Sequence, residues 1–313
     1  MSRTILSVCF GSRGDVQPFI ALGCGFISRG HRFIICTNSE YEDLVISHGL
    51  EFRPMRANIT ELLLTDKGKE AKRASIFKVF SLMRDLMLPL VDSVFDDVSA
   101  ALDADPIDLI LLATFPVQFG MYSLADHRKI PCMAIHTVPA KPSREFAPPT
   151  ANMGFSAPFQ FLNSFAWWMG GVVASRAFVA DACNAVRARV GLAPLDMSAA
   201  DFIANAPVHV AYIYSRHLIP RPLDWSSTYD HVVGYMSLSA PTDYAPPPAL
   251  AAFLEGHRES KIFYIGFGSM LSIMYDGDVD RMRAKLNDLA RAARLIAHKH
   301  NVVFILHTVA GNS

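Results

Sequence analysis

Short apolar runs alternate with segments whose apolar positions recur every three or four residues through the first third of the chain, the pattern of parallel βαβ units covered on both faces. Residues 4–10, 31–37 and 50–55 predict strands, and residues 17–28 and 41–48 predict helices. Ile76, Phe80, Met83, Met87, Leu90 and Val94 share one face of a long helix, bent where Pro89 removes a backbone donor. Residues 108–115 and 131–137 predict two further core strands, 180–190 a helix, and 209–215 and 231–235 short strands. Residues 239–250 hold four prolines and few large apolar residues, which marks a linker. After it come a strand at 262–265, a helix carrying Met282, Leu286, Leu289, Ala293 and Ile296 on one stripe, and a strand at 302–306.

The pattern predicts an α/β chain in two parts. Residues 1–238 form a complete Rossmann-like domain, 239–257 a proline-rich linker, and 258–313 the first βαβ unit of a second, unfinished Rossmann-like domain. An uncovered apolar sheet face in that second part predicts aggregation.

Composition narrows the class. With 313 residues, 51% hydrophobic and 19% charged, the chain can bury a large core. Its formal net charge is +0, which offers no standing attraction for nucleic acid. Cys9, Cys24, Cys36, Cys132 and Cys183 are odd in number and never spaced as CxxC, as expected of reduced core thiols in a cytoplasmic protein. Met1 leads into a strand without the features of a secretory signal. Residues 146–175 carry no charge and include Trp167 and Trp168, yet Gln160, Asn163 and Ser164 interrupt them, so a spanning helix is not expected. The segment reads as core or pocket lining, with peripheral membrane contact as the lesser alternative.

Candidate chemistry concentrates in two turns. Gly11, Ser12, Arg13, Gly14 and Asp15 follow the first strand, where an open parallel sheet binds ligands. Asp15 stands about where a helix N-cap falls, with Pro18 suited to the first turn; it either caps the helix or acts as a general base. Gly23 and Gly25 imitate a dinucleotide fingerprint but lie inside the helix, where small residues permit close packing on the sheet, so a nicotinamide oxidoreductase is only a weak alternative. His136 ends a strand on the crevice side and is either a ligand contact or a structural histidine. No metal-ligand spacing, nucleophile elbow or phosphate loop is present. The second turn, around Gly268 and Ser269, offers backbone N–H groups and a hydroxyl to a diphosphate.

The segments GSRGDVQPFIAL at 11–22, RPLDW at 221–225, HVVGYM at 231–236 and the stretch from PPPALAAFLEG to FYIGFGSM at 246–270 resemble, in order, those of the sterol and lipid glycosyltransferases of the GT-B fold, within the UDP-glycosyltransferase superfamily. That resemblance implies two Rossmann-like domains, with the acceptor on the first and the nucleotide sugar on the second. It implies Asp15 as the base of an inverting displacement and Ser12, Arg13, Gly14, His136, Trp167 and Trp168 along the acceptor cleft. It further implies Gly268 and Ser269 at the donor diphosphate, UDP-glucose as co-substrate, a sterol or other apolar hydroxyl compound as acceptor, and no metal or other cofactor. The family's HHGGxGT-like donor signature does not occur in the chain, so the resemblance also implies a fragment or truncated form. A non-catalytic lipid-binding derivative is the alternative.

Overall fold

The structure is a computed structural model, and it describes residues 2–74, 76–148, 159–174, 179–195, 208–238, 244–268, 275–276, 278–300 and 302–306. Two compact units are present, 1–238 and 239–313.

The first unit is a seven-stranded, wholly parallel sheet in the order β3-β2-β1-β4-β5-β6-β7. Its strands are β1 Thr4–Val8, β2 Arg32–Asn38, β3 Glu51–Met55, β4 Leu109–Leu112, β5 Cys132–His136, β6 His209–Tyr212 and β7 Asp230–Val232. Register is continuous across the centre, with Val8 opposite both Cys36 and Leu112, and His136 opposite Tyr212. Side chains alternate between the faces, as the pleat requires. Leu6, Val8, Ile34 and Cys36 enter one core, whereas Ile5, Phe33 and Ile35 enter the other.

The second of these cores is covered by α1 Arg13–Ile27, through Val16, Phe19 and Ile20, and by α2 Glu42–Ser47, through Val45. The first core is covered by α5 Ile76–Ala104, α6 Thr114–Gln118, α7 Met121–His127 and α9 Ala180–Arg189. α5 runs through Pro89 without a break and presents Met87, Val91, Val94 and Val98 to the sheet. Of the stripe expected on this helix, Met87 and Val94 are buried and Leu90 packs beside them; Ile76, Phe80 and Met83 lie outside the residues whose side chains are described. α9 is tied to α5 by Arg189, which reaches Asp92 and Asp96 and stacks 4.1 Å over the Phe95 ring. Between β3 and α5 lie the short helices α3 Ile59–Leu64 and α4 Asp66–Arg73, and α8 Phe161–Ala174 follows β5.

Several boundaries differ from those the sequence predicts. α1 begins at Arg13, a full turn before residue 17, so Pro18 lies inside the helix rather than in its first turn. The predicted strand at 108–115 ends at Leu112, and Thr114 to Gln118 turn helical. All five cysteines are free, but Cys24 and Cys132 are only partly buried.

The second unit pairs β8 Lys261–Ile265 in parallel with β9 Val302–Leu306, and the helix Val279–His300 buries Met282, Leu286 and Ala293. A further helix, Pro248–Gly256, occupies the end of the proline-rich stretch.

The two glycines inside α1 have different roles. A Cβ on Gly23 would lie 2.8 Å from the Phe33 ring and 2.9 Å from Leu50, so its absence lets α1 sit close against β2. At Gly25 the nearest atom is an Arg29 nitrogen at 3.6 Å, an ordinary contact at the end of a flexible side chain. Gly23→Ala is expected to destabilise the unit by about 1–3 kcal/mol through overpacking. Gly25→Ala is expected to be neutral or stabilising by up to about 1 kcal/mol. Urea unfolding of the two variants checks this, and equal effects would contradict the assigned packing.

Candidate active site

Strand order reverses at β1, from which the chain first moves to β2 and later returns to β4 on the other side. In such a sheet the turns at the carboxyl ends diverge and leave a crevice. The β1–α1 turn borders it, together with the ends of β4 and β5.

Gly11 opens this turn with φ +133, and a Cβ there would stand 2.6 Å from an Asp15 carboxylate oxygen, so both the backbone path and the space call for glycine. Its carbonyl accepts from the Tyr41 hydroxyl at 3.2 Å, and its N–H donates to Asn38 Oδ1 at 3.4 Å. Asn38 is buried at the end of β2, and its amide nitrogen donates in turn to the carbonyls of Met55 and Ala57. Burial pushes the Tyr41 phenol up to about 12, with the charges of Glu40 and Asp15 adding to the effect, so it remains the protonated donor. Neither Asn38 nor Tyr41 stood out in the sequence; the available signal was a polar residue closing an otherwise apolar strand.

Ser12, not Asp15, is the N-cap of α1, and Asp15 is the third residue of the helix. The Ser12 backbone N–H and hydroxyl both donate to Asp15 Oδ2, each at 2.8 Å, which ties the helix start together as one half of a capping box. That arrangement starts the helix a turn earlier than Pro18 suggests. Asp15 Oδ1 makes no hydrogen bond among the described residues. The side chain is half-buried, so one oxygen serves the fold while the other remains available for chemistry. Arg13 and Gly14 are exposed on the first turn, with Arg13 Nε donating to Gln17.

His136 closes β5 at 5% exposure. Its Nδ1 is 2.9 Å from Thr114 Oγ1, and its ring lies 5.8 Å from that of Tyr212. No hydrogen bond or ion pair joins it to Asp15 among the described residues.

The two tryptophans of α8 diverge. Trp167 Nε1 donates to the Phe146 carbonyl at 2.8 Å, and its ring meets Phe146, which packs edge-on against buried Trp225. Trp168 is 60% exposed. The RPLDW segment is a brace for this region. Asp224 accepts from Ser143 Oγ and the Arg144 N–H, Arg221 donates to the Trp225 carbonyl, and Trp225 Nε1 donates to the Pro142 carbonyl. A partly buried ion pair, Lys141 to the enclosed Asp230 carboxylate at 2.9 Å, holds the same loop to β7. In the second unit Gly268 has φ +55 and no atom near its missing Cβ, while Ser269 lies outside the described residues. Among the described residues no group of three or more His, Cys, Asp or Glu side chains is placed to hold a metal, and no helix is long and apolar enough to cross a membrane.

Burial without a counter-charge lowers the His136 pKa to about 4. An unfolded histidine takes up a proton near about 6.5. The unfolded state therefore binds the extra proton between these values. Stability present above the unfolded pKa is lost as pH falls through the window toward the folded one, by up to about 3 kcal/mol. Denaturant unfolding at about pH 7 and about pH 4.5 should show this loss in the parent and a smaller one in His136→Asn. An identical pH slope in the two proteins would contradict the assignment.

Residues 5–101 match the glycosyltransferase family 28 N-terminal domain. The chain is 28% identical over 278 residues to sterol 3-beta-glucosyltransferase UGT80A2 of Arabidopsis thaliana, covering 85% of this chain and 41% of that protein. It is 30% identical over 276 residues to the sterol 3-beta-glucosyltransferase of Aspergillus fumigatus, covering 86% of this chain and 18% of that protein. The chain thus spans less than half the length of these curated relatives. Among solved structures, the glycosyltransferase of kitacinnamycin superposes with a TM-score of 0.62 at 17% identity, over 100% of this chain and 68% of that one. The chain is therefore a homologue of the sterol 3-beta-glucosyltransferases, with a glycosyltransferase family 28 N-terminal domain and the α/β fold of the GT-B glycosyltransferases.

Proposed function

We propose that the chain forms the acceptor side of an enzyme that moves a hexose from a nucleotide sugar, UDP-glucose in the first instance, to the hydroxyl of a sterol or similarly apolar acceptor. The observation that carries this reading is Asp15, held at the crevice by Oδ2 with Oδ1 left open. A base must be fixed in space and still have a free lone pair, and this carboxylate meets both conditions. The similarity to sterol glucosyltransferases over 85% of the chain supports the choice of acceptor.

In this reading Oδ1 takes the proton of the acceptor hydroxyl as its oxygen attacks the anomeric carbon. The bond from that carbon to the diphosphate oxygen breaks on the opposite side, inverting the configuration. Ser12, Arg13 and Gly14 border the acceptor. In the second unit, backbone N–H groups at Gly268 and Ser269 meet the charge that develops on the leaving diphosphate. His136, enclosed against Thr114 and Tyr212, shapes the crevice floor as a neutral ring and does not exchange the acceptor proton.

The test is transfer of radiolabelled glucose from UDP-glucose to a sterol by the full-length gene product, with product read by chromatography. Asp15→Asn keeps an oxygen that can accept from Ser12, so the fold should survive while the rate drops by about 10²–10⁴-fold. Sterol binding, followed separately by tryptophan fluorescence, should change little. Near-normal turnover in that variant would remove Asp15 as base, and sterol binding without any transfer by the parent would favour a non-catalytic binding protein.

A further inference from the structure

The outer edge of the first sheet carries a pair of histidines that the proposed chemistry does not use. Register sets Val210 opposite Asp230 and Ala211 opposite His231, so His209 lies beside Tyr229 with His231 diagonal to it. Side chains two apart on a strand share a face, which puts these three rings on one side of the β6–β7 ribbon. Asp230 lies between Tyr229 and His231 and turns to the other side, where it pairs with Lys141. His209 Nδ1 and His231 Nε2 are 3.4 Å apart, and the ring centroids are 5.7 Å apart with planes 17° from parallel. Those two separations together require the nitrogens to point at each other. The Tyr229 ring rests 5.4 Å from that of His209 and limits its rotation. The backbone beneath is fixed, because the Val210 N–H donates to the Tyr229 carbonyl at 2.8 Å and the Val233 N–H to the Tyr212 carbonyl at 3.0 Å. His209 is exposed and His231 is half-buried, so solvent reaches the pair.

We infer that His209 and His231 form a surface site for a divalent transition-metal ion of the zinc, nickel and copper class, which fastens the edge strand β7 to β6. Imidazole is the ligand these ions share, whereas magnesium and calcium take oxygen. Two nitrogens about 2.0–2.1 Å from a tetrahedral ion stand about 3.4 Å apart, which is the spacing of this pair. A small turn of the rings makes their lone pairs converge on an ion at the solvent side. Because paired strands already hold both ligands, little conformational freedom is lost on binding. No third His, Cys, Asp or Glu side chain joins them among the described residues, so water completes the coordination shell. β7 has three residues and a single neighbouring strand, which makes it the part of the sheet that gains most from a clip. The histidines are 22 residues apart, so no spacing rule reveals them; parallel pairing brings them together. His209 opens β6, at the end of the sheet opposite the Asp15 crevice, and the site is therefore independent of glycosyl transfer.

The experiment is calorimetric titration of the full chain, free of any purification tag and stripped with chelator, with zinc chloride and, for reference, magnesium chloride. Zinc should bind saturably with one equivalent per chain, and magnesium should not. His209→Gln and His231→Gln, on different strands, should each weaken zinc binding by about tenfold or more, since even the outer partner of a metal ligand is worth about 10–100-fold. His127→Gln, at an exposed position closing α7, should leave it unchanged. Copper(II) in place of zinc should show, in its electron paramagnetic resonance spectrum, coupling to two nitrogens in the parent and one in either variant. Zinc should also raise the urea midpoint of the parent and not that of the variants, whose metal-free midpoints should match the parent's. Absence of saturable zinc binding, or binding undiminished in either of the His209 and His231 variants, overturns the inference and leaves the pair as an N–H···N hydrogen bond alone.

Discussion

All seven strands of the first unit run in the same direction, and this constraint governs the rest of the molecule. Each strand must be followed by a crossover before the next can pair, so every outgoing turn gathers at one end of the sheet. Growth from β1 outward to β3, followed by a return to β4, separates the crossovers onto opposite faces and leaves the crevice beside β1. The candidate chemistry-bearing groups of this unit sit at that end of the sheet. Asp15 follows β1, Thr114 follows β4 and His136 closes β5.

Within that frame, the central question about Asp15 had two answers in the sequence, helix cap or catalytic base. The structure makes them compatible by dividing the carboxylate. Oδ2 receives two hydrogen bonds from Ser12 and stabilises the start of α1, where a negative group also suits the helix dipole. Oδ1 retains its lone pairs. Rigidity comes from outside the helix, through Tyr41 and Asn38 on the two polar groups of Gly11. A base held by its own cap and by a pinned turn loses little freedom when an acceptor arrives, which is the condition for positioning to contribute to rate.

Much of the architecture was legible because parallel strands buried on both faces leave continuous apolar runs. Residues 4–10, 31–37 and 131–137 each overlap a strand, differing mainly at the ends. The start of α1 was misplaced because Pro18 looks like a first-turn residue, while Ser12 followed by an acidic residue three positions on carried the better signal. Thr114 was read as strand because its neighbours are apolar, yet helix begins there, with Pro116 in the first turn where its missing N–H costs nothing. The ordering of RPLDW within the chain was visible, but not its work. No local pattern reveals that Asp224 will receive two hydrogen bonds from residues 80 and 81 positions away.

Trp167 and Trp168 show the same limit most sharply. They are adjacent in a segment without charge, and composition treats them alike. Helical geometry separates neighbours by about 100°. One indole finds a backbone carbonyl and an aromatic cluster, and the other stays largely exposed beside the Phe165 ring. A fold selecting only for core packing would gain by replacing the second with a polar residue, because its apolar area remains in water. Phe161 and Phe165 share that cost on the same stripe, and the anchor through Asn163 holds the stripe in a fixed orientation.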